Sequence, residues 1–279
     1  MLYLDDCLKR DVLFFTGKGG VGKSTLAWAT ALACSRKGKK IKIVSWNPLE
    51  RDLKWPGIQY QTLTVPDCFR EYVTRALKFE TLYSVIFENH VLQSFIRATP
   101  GLAETVIAGK IWDLWSHREQ DILIVDLPAS GHAASFFQSP LGVSKVFDKG
   151  FIHGESEKIL SLFTAKTTRL DLVTLPQELP VLEVLELHQK LKTALPLPFG
   201  FLHLNQVEPE RKLPPKFSSA LSNEIANCVE SYYARKGLEA ESLKDLKGLE
   251  LPILSIPQLP EETMQQNREA VADYLESLG

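Results

Sequence analysis

The stretch of sequence that decides the fold is Thr16-Gly17-Lys18-Gly19-Gly20-Val21-Gly22-Lys23-Ser24-Thr25. It follows an apolar run, Val12 to Phe15, that is typical of a buried strand, and it precedes Ala-rich residues 26–34, which are typical of a helix. A strand, a glycine-rich turn and a helix form the context in which the pattern G-x-x-x-x-G-K-[ST] binds phosphate. An ordinary surface turn would not require the complete pattern. The sequence therefore predicts a phosphate-binding loop.

Each residue type in this loop suits the binding of a nucleotide. Glycines let backbone N–H groups curl around phosphate oxygens, and the helix that follows adds the positive end of its dipole. We expect Lys23 to reach the β- and γ-phosphates and the Ser24 hydroxyl to ligate Mg²⁺. The residues predicted to contact the nucleotide here are Gly17, Lys18, Gly19, Gly20, Val21, Gly22, Lys23, Ser24 and Thr25.

A second apolar run, residues 121–126, ends in an acid, which is the Walker B pattern. A carboxylate at the end of such a strand holds Mg²⁺ directly or through water. Ser24 and Asp126 are therefore the predicted metal ligands, and ATP and Mg²⁺ are the predicted cofactors.

The alternation of strand and helix patterns predicts an α/β protein with a doubly wound, mainly parallel sheet of six or seven strands. Its 279 residues suit a single P-loop nucleotide-binding domain spanning residues 1–279. Residues 66–118 interrupt the alternation with helical spacing and are predicted to form an inserted helical subdomain, with residues 139–165 as a candidate addition. Further on, a helical stretch to Lys236 and a separate short helix at residues 243–247 are expected.

Composition narrows the class of protein. The chain is 44% hydrophobic and 24% charged, which is ordinary for a globular protein, and its net charge of -2 favours neither nucleic acid nor a membrane surface as a partner. No apolar run is long enough to span a membrane, and Asp5 and Asp6 stand where a signal peptide would be basic. A cytoplasmic protein without direct membrane insertion is expected.

A second lysine, Lys18, lies inside the phosphate loop. The resulting Gly-Lys-Gly-Gly-x-Gly-Lys-Ser run resembles the deviant Walker A family, which includes the arsenical pump-driving ATPase, the guided-entry ATPase that delivers tail-anchored proteins, the Min and Par ATPases and the nitrogenase iron protein. In that family the early lysine crosses a dimer interface and touches the partner's phosphates. The resemblance implies this role for Lys18, in the manner of an arginine finger. The alternative is a solvated loop lysine.

Further segments are similar to the bacterial branch of the arsenical pump-driving and guided-entry ATPases. They are Pro100-Gly101-Leu102-Ala103-Glu104, Gly131-His132, Asn205-Gln206 and Pro257-Gln258-Leu259. The resemblance implies that the Gly131 backbone senses the γ-phosphate, that Asn205 reads the adenine edge, and that the loop with Pro257 and Leu259 covers the adenine. A turn-initiating asparagine is an equal alternative for Asn205.

Asn47 departs from the pattern of these relatives, which carry an aspartate there to activate the attacking water. An amide can position water but cannot accept a proton. The candidate catalytic residues are therefore Lys18, Lys23, Asn47 and Asp126, with hydrolysis in doubt because of Asn47.

Two functions remain open at this stage. The first is a dimeric Mg-ATP-dependent ATPase, a hydrolase whose nucleotide state controls a helical surface for a client or a membrane-protein partner. The second is a catalytically weak ATP-binding regulatory subunit that pairs with a catalytic paralogue, so the dimer would be a homodimer or a heterodimer. The apolar residues of the insertion could instead pack on the domain or on the dimer partner. An iron–sulfur reductase is excluded because no cysteine lies between Cys68 and Cys228.

Overall fold

A sheet of seven parallel strands forms the centre of the protein in a computed structural model that describes residues 2–46, 55–77, 101–146, 149–211, 223–259 and 263–278. The strands are β1 (Val12–Gly17), β2 (Ile41–Ser45), β3 (Ile58–Thr62), β4 (Ile122–Asp126), β5 (Thr168–Thr174), β6 (Phe199–Val207) and β7 (Ile253–Pro257). Their spatial order is β3-β2-β4-β1-β5-β6-β7, and every neighbouring pair is parallel. The predicted doubly wound α/β fold is confirmed.

Helices cover both faces of this sheet. The described helices are α1 (Tyr3–Cys7), α2 (Lys23–Arg36), α3 (Val65–Leu77), α4 (Leu102–His117), α5 (Ser130–Val146), α6 (Phe151–Phe163), α7 (Glu178–Ala194), α8 (Asn223–Leu246) and α9 (Met264–Ser277). Side chains of β1 alternate between two hydrophobic cores. Leu13 and Phe15 pack with α1, α2 and α9, whereas Val12 and Phe14 pack with α4 to α7. Because both faces of the sheet are buried here, the first four residues of β1 are all apolar.

The strand order places the phosphate loop where the direction of winding reverses. The chain builds β2, β3 and β4 on one side of β1 and then β5, β6 and β7 on the other. Loops at such a reversal diverge and leave a crevice at the carboxyl ends of the strands, which is where ligands bind in open α/β sheets. The loop after β1 is therefore in the position that suits a ligand site.

Helices α3 and α4 represent the described part of the predicted insertion at residues 66–118. They lie between β3 and β4 in the chain, contact each other, and are linked by an ion pair between Glu71 and Lys110. Ile107 and Ile111 of α4 are buried in the same core as Phe14 and Phe163. Residues 78–100 of the predicted insertion lie outside the described residues, and its limits as a subdomain stay a prediction.

Helix α8 corrects the sequence-based expectation of a break after Lys236. It runs without interruption from Asn223 to Leu246, so the separate short helix predicted at residues 243–247 is wrong. Tyr232 and Leu246 are both buried, and packing at both ends offsets the weak helix propensity of Gly237 between them. Across the described helices, none has the length and the apolar character needed to cross a bilayer.

Candidate nucleotide-binding site

Three glycines shape the loop between β1 and α2. Gly20 and Gly22 have φ values of 83° and 94°, in the left-handed region that glycine adopts without strain. At Gly17, a Cβ would lie 2.1 Å from the carbonyl oxygen of Val173 on the adjacent strand β5. A Cβ at Gly22 would lie 2.2 Å from Asn205 Nδ2. A larger residue would strain the backbone at Gly20 and Gly22 and would clash with the β5 backbone at Gly17, so glycine suits all three positions.

Lys23 lies in the first turn of α2, and its side chain folds back across the loop. Its Nζ donates a hydrogen bond to the backbone carbonyl oxygen of Lys18 at 2.7 Å. Burial lowers the pKa of the Lys23 amine, and the nearby Asp126 carboxylate partly opposes that shift. A partly desolvated ammonium held by a single carbonyl is well suited to bind an anion, because its charge is only weakly compensated.

Ser24 and Asp126, the predicted metal ligands, are brought together by the pairing of β1 with β4. The Ser24 hydroxyl donates to Asp126 Oδ2 at 2.6 Å, and the Ser45 hydroxyl at the end of β2 donates to the same oxygen at 3.4 Å. Sequence reasoning missed Ser45, although it ends the strand beside β4 and pairs in register with Asp126. Ser45 and Asp126 end two neighbouring strands, and Ser24 lies in the first turn of α2, directly after the phosphate loop.

The other carboxylate oxygen, Asp126 Oδ1, is buried and has no hydrogen-bond partner among the described residues. Burial raises the pKa of Asp126, and the Ser24 hydrogen bond and the Lys23 charge only partly reverse that shift. A hydroxyl and a carboxylate are the hard oxygen ligands that Mg²⁺ prefers. The donor set and the unsatisfied oxygen therefore fit a magnesium site held by Ser24 and Asp126.

Asn205 lies against the phosphate loop, at the carboxyl end of β6. Its Nδ2 donates to the backbone carbonyl oxygen of Val21 at 2.9 Å, and the side chain is buried. Sequence reasoning did not predict this bond, because nothing in the spacing of residues 184 positions apart reports it. Asn205 thus supports the loop, and its predicted contact with adenine stays a prediction.

A cavity of about 380 Å³ opens at the same edge of the sheet, beside β6 and β7. It is lined by Glu208, Pro209, Arg211, Arg235 and Gln258. The backbone N–H of Gln258 donates to the Val207 carbonyl oxygen at 2.8 Å, which fixes the loop that also holds Pro257 and Leu259. The cavity is a candidate for the base and sugar of a nucleotide. Of its lining residues, Gln258 belongs to the loop predicted to cover the adenine, and the other four were not predicted from the sequence.

Lys18 makes an ion pair within its own chain. Its Nζ lies 2.7 Å from Glu183 Oε1 on α7, and the two side chains are 33% and 39% exposed. Sequence reasoning did not find Glu183, since no motif marks it. A pair this exposed contributes little to stability, so it can be broken at small cost.

The remaining predicted residues are less well placed or lie outside the description. Gly131 is exposed in the first turn of α5, although the preceding segment approaches the phosphate loop: a Cβ at Gly19 would be 3.9 Å from the Ala129 Cβ. Gly131 follows Ala129 by two residues, and its predicted contact with the γ-phosphate stays a prediction. Asn47 lies outside the described residues.

The fold and this site together define a P-loop nucleotide-binding protein of the α/β class. A glycine loop, a buried lysine at the start of a helix, and a serine–aspartate pair meet at the reversal point of a parallel sheet. This is the arrangement in which such proteins bind a nucleoside triphosphate with magnesium.

Comparison with known proteins shows which P-loop nucleotide-binding proteins this chain is similar to. The sequence profile described as anion-transporting ATPase matches residues 10–51, the region of the phosphate loop. ATPase BagA of Mycobacterium tuberculosis is 28% identical over 293 residues, covering 94% of this chain and 83% of that protein. The arsenical pump-driving ATPase of Escherichia coli is 26% identical over 234 residues, covering 71% of this chain and 40% of that protein.

The predicted resemblance to arsenical pump-driving ATPases is thereby confirmed, whereas the deviant Walker A character and the likeness to guided-entry ATPases stay predictions. The chain is similar to anion-transporting ATPases, and this similarity supports the prediction that it is an ATPase that binds ATP. The individual roles of the loop residues, including that of Lys18, stay predictions.

Proposed function

We propose that the protein is a dimeric ATPase that binds Mg-ATP in the loop between β1 and α2 and uses the nucleotide to control a helical partner-binding surface. The observation that carries the proposal is the hydrogen bond of Ser24 to Asp126 beside the buried amine of Lys23. This constellation has the donors that a triphosphate requires and the oxygen ligands that magnesium requires. Similarity to ATPases supports the reaction.

The residues of the chain have separate tasks in this proposal. When bound, Mg-ATP supplies the phosphoryl group and the metal charge that stabilises the charge of its transfer. Backbone N–H groups of the loop bind phosphate oxygens, the Lys23 ammonium neutralises their charge, and Ser24 and Asp126 hold the magnesium. Asn205 holds the Val21 carbonyl and so keeps the loop in shape. Most of this machinery is fixed before the ligand binds, which limits the cost of ordering it.

In the proposed dimer, Lys18 acts across the interface between the two subunits. In a monomer Lys18 has a carboxylate partner, Glu183, at the protein surface. Phosphates in a facing subunit would offer Lys18 a stronger, multiply charged partner, and the exposed ion pair would give way to it. We therefore assign Lys18 to the site of the second subunit and expect ATP, with its γ-phosphate, to favour the dimer over ADP.

Helix α5 connects the nucleotide site to the helical layer. It begins four residues after Asp126 and contacts α4, α6 and α7. Phe136 and Phe137 of α5 pack against Phe163 of α6 with ring centroids 5.3 and 4.8 Å apart. Because such a core is close-packed, a shift of the segment after Asp126 is transmitted to the helices that would bind a partner.

A second candidate function is a catalytically weak regulatory subunit that binds ATP and pairs with a catalytic paralogue. Asn47 favours it, because an amide cannot take the proton from the attacking water. In that case the loop and the magnesium ligands serve binding alone.

The test is the Mg-ATP turnover of the purified chain, with Lys23→Ala and Asn47→Asp measured beside it. Turnover by the native chain that Lys23→Ala abolishes supports the ATPase. Binding without turnover, with activity gained in Asn47→Asp, supports the regulatory subunit. If the native chain neither binds nor hydrolyses ATP, both proposals are wrong.

A further inference from the structure

A second cavity, of about 310 Å³, lies at the opposite edge of the sheet from the phosphate loop. Its walls come from the turn between α1 and β1, from the turn before β2, from the last turn of α4 and from the segment between α4 and β4. The lining residues are Leu8, Lys9, Arg10, Asp11, Lys39, Trp115, Arg118, Gln120 and Asp121. Four of these side chains are cationic and two are anionic, so the wall carries a formal charge of +2 from 4 − 2.

The carboxylates of the cavity are already engaged. Asp11 accepts a hydrogen bond from Arg118 Nη2 at 2.9 Å, and Asp121 accepts one from the backbone N–H of Lys40 at 2.7 Å. Arg10 is held as well, because it forms an ion pair with Asp6 at 2.6 Å. Asp121 keeps its negative charge, because its bond is to a neutral backbone N–H. The other two cations, with no carboxylate bonded to them, leave the wall with a net positive charge.

Lys9 and Lys39 are these two cations. Their backbone N–H groups are bonded to Asp6 and Cys34, but neither ammonium group has an ion-pair or hydrogen-bond partner among the residues that the structure describes. They stand on different turns of the chain, one before β1 and the other before β2, and they line one cavity. Two ammonium groups on the wall of one cavity repel each other less when an anion lies between them.

Trp115 lines the same cavity and gives it a spectroscopic reporter. Its indole nitrogen is itself buried, so the ring, and not the N–H group, faces the cavity. A wall with two unpaired ammonium groups beside an aromatic ring is suited to a small ligand that carries several negatively charged oxygens.

We infer that this cavity is a binding site for a small multivalent anion, bearing carboxylate or phosphate groups, that is separate from the nucleotide site. Lys9 and Lys39 neutralise part of its charge, and the ring of Trp115 lies beside it. The volume is at the lower end of the range for small-molecule sites and suits an anion smaller than a nucleotide. The site lies where α4 joins β4, the strand that ends in Asp126, so the anion would bridge the helical layer and the sheet.

The test uses citrate and inorganic phosphate as probes, titrated into the full chain by calorimetry and by tryptophan fluorescence. Lys23→Ala serves as the background protein, because it weakens binding of either anion in the phosphate loop. We expect at least one probe to bind, and Lys9→Gln/Lys39→Gln to weaken that binding by about tenfold or more. Lys37→Gln, which removes an exposed charge two residues from Lys39, is the matched control and should bind normally.

The remaining outcomes separate the sources of the anion and decide the inference. Preference for citrate identifies a carboxylate ligand, and preference for phosphate identifies a phosphate ligand. Trp115→Phe should remove the fluorescence response. The inference is wrong if neither probe binds at millimolar concentration, or if the double variant, shown to be folded by circular dichroism, binds as well as Lys37→Gln.

Discussion

Lys18 and Lys23 stand five residues apart in one loop, yet their surroundings differ. Lys23 is 8% exposed and bonds to the loop backbone, whereas Lys18 reaches outward to Glu183. The buried amine is placed for phosphates of its own chain, and the outer one can exchange partners. We therefore expect the buried lysine, Lys23, to serve nucleotide binding and the outer lysine, Lys18, to serve dimer assembly, and variants of each should separate the two functions.

Replacing Lys18 and Glu183 in turn tests this separation. We expect Lys18→Ala to leave ATP binding by the monomer largely intact but to weaken ATP-driven dimerisation, because the cation that reaches the partner's phosphates is lost. Glu183→Gln should instead strengthen dimerisation with ATP, since Lys18 no longer has a competing carboxylate. Analytical ultracentrifugation with and without Mg-ATP measures both. Normal ATP-driven dimerisation of Lys18→Ala would contradict the intersubunit role.

The ionised carboxylate of Asp126 is expected to lower the stability of the protein although Mg-ATP binding needs it. Because burial raises its pKa, the folded protein binds a proton there more tightly than the unfolded chain does, so ionisation at neutral pH lowers the free energy of unfolding. We expect Asp126→Asn to raise the thermal midpoint without ligand and to lose the further rise that Mg-ATP gives the native chain. Thermal unfolding in four conditions, with and without Mg-ATP for each protein, provides the measurement. A lower midpoint without ligand would contradict the inferred cost of the charge.

At the scale of elements, helix α1 is joined to the sheet by buried charges. Arg169 of β5 donates to Asp6 of α1 at 2.6 Å and to Asp171 at 2.7 Å, and His203 Nε2 lies 3.0 Å from Asp171 Oδ2. Burial opposes ionisation of Asp171, but the charge of Arg169 and the His203 contact outweigh it, and the net pKa is lowered. The pKa of Asp6 is also lowered, since its bonds to Arg10 and Arg169 outweigh burial.

These shifts predict how stability depends on pH. A carboxylate whose folded pKa is lowered stabilises the protein fully above the unfolded value of about 4, and that contribution disappears as pH falls through the lower folded value. Asp6→Asn should lower the free energy of unfolding by about 3 kcal/mol near pH 7 and flatten its decline below pH ~4. Asp5→Asn, a neighbouring exposed change, is the control and should match the native chain. Denaturant unfolding across pH decides, and an equal effect of both variants would contradict the role of the network.

At the scale of the whole molecule, the two opposite edges of one sheet each hold a candidate ligand site. The carboxyl edge holds the phosphate loop and the serine–aspartate pair, and the opposite edge holds the anion cavity. Helices α4, α5 and α6 pack together against the sheet between them. A change at either edge can therefore reach the same helical layer.

Hydrogen exchange can follow this connection. We expect a non-hydrolysable ATP analogue with Mg²⁺ to slow exchange at residues 127–146 and also at residues 102–117, compared with ADP, because α5 packs against α4. The β7 region, residues 253–257, lies at the far end of the sheet and should change less. Protection confined to the phosphate loop would contradict control of the helical layer by the nucleotide.

The sequence predicted those site residues that lie in one continuous motif or that end an apolar strand. The glycine loop and Lys23 lie in one continuous motif, and Asp126 follows an apolar run that ends beside β1 in a parallel sheet. Those features depend on backbone geometry and strand pattern alone. Ser45, Glu183 and the bond from Asn205 to Val21 were not predicted, because they depend on which strands and helices become neighbours.

The sequence by itself thus determined the class of fold, the phosphate loop and the candidate magnesium ligands, because these follow from local backbone demands and from the period of apolar residues. Only the tertiary structure decided that Lys18 pairs with Glu183, that α8 continues through Gly237, and that Lys9, Lys39 and Trp115 share a cavity. The physical reason is that such contacts join segments far apart in the chain. Their distances are set by the packing of the sheet and its helices, which no local pattern of residues records.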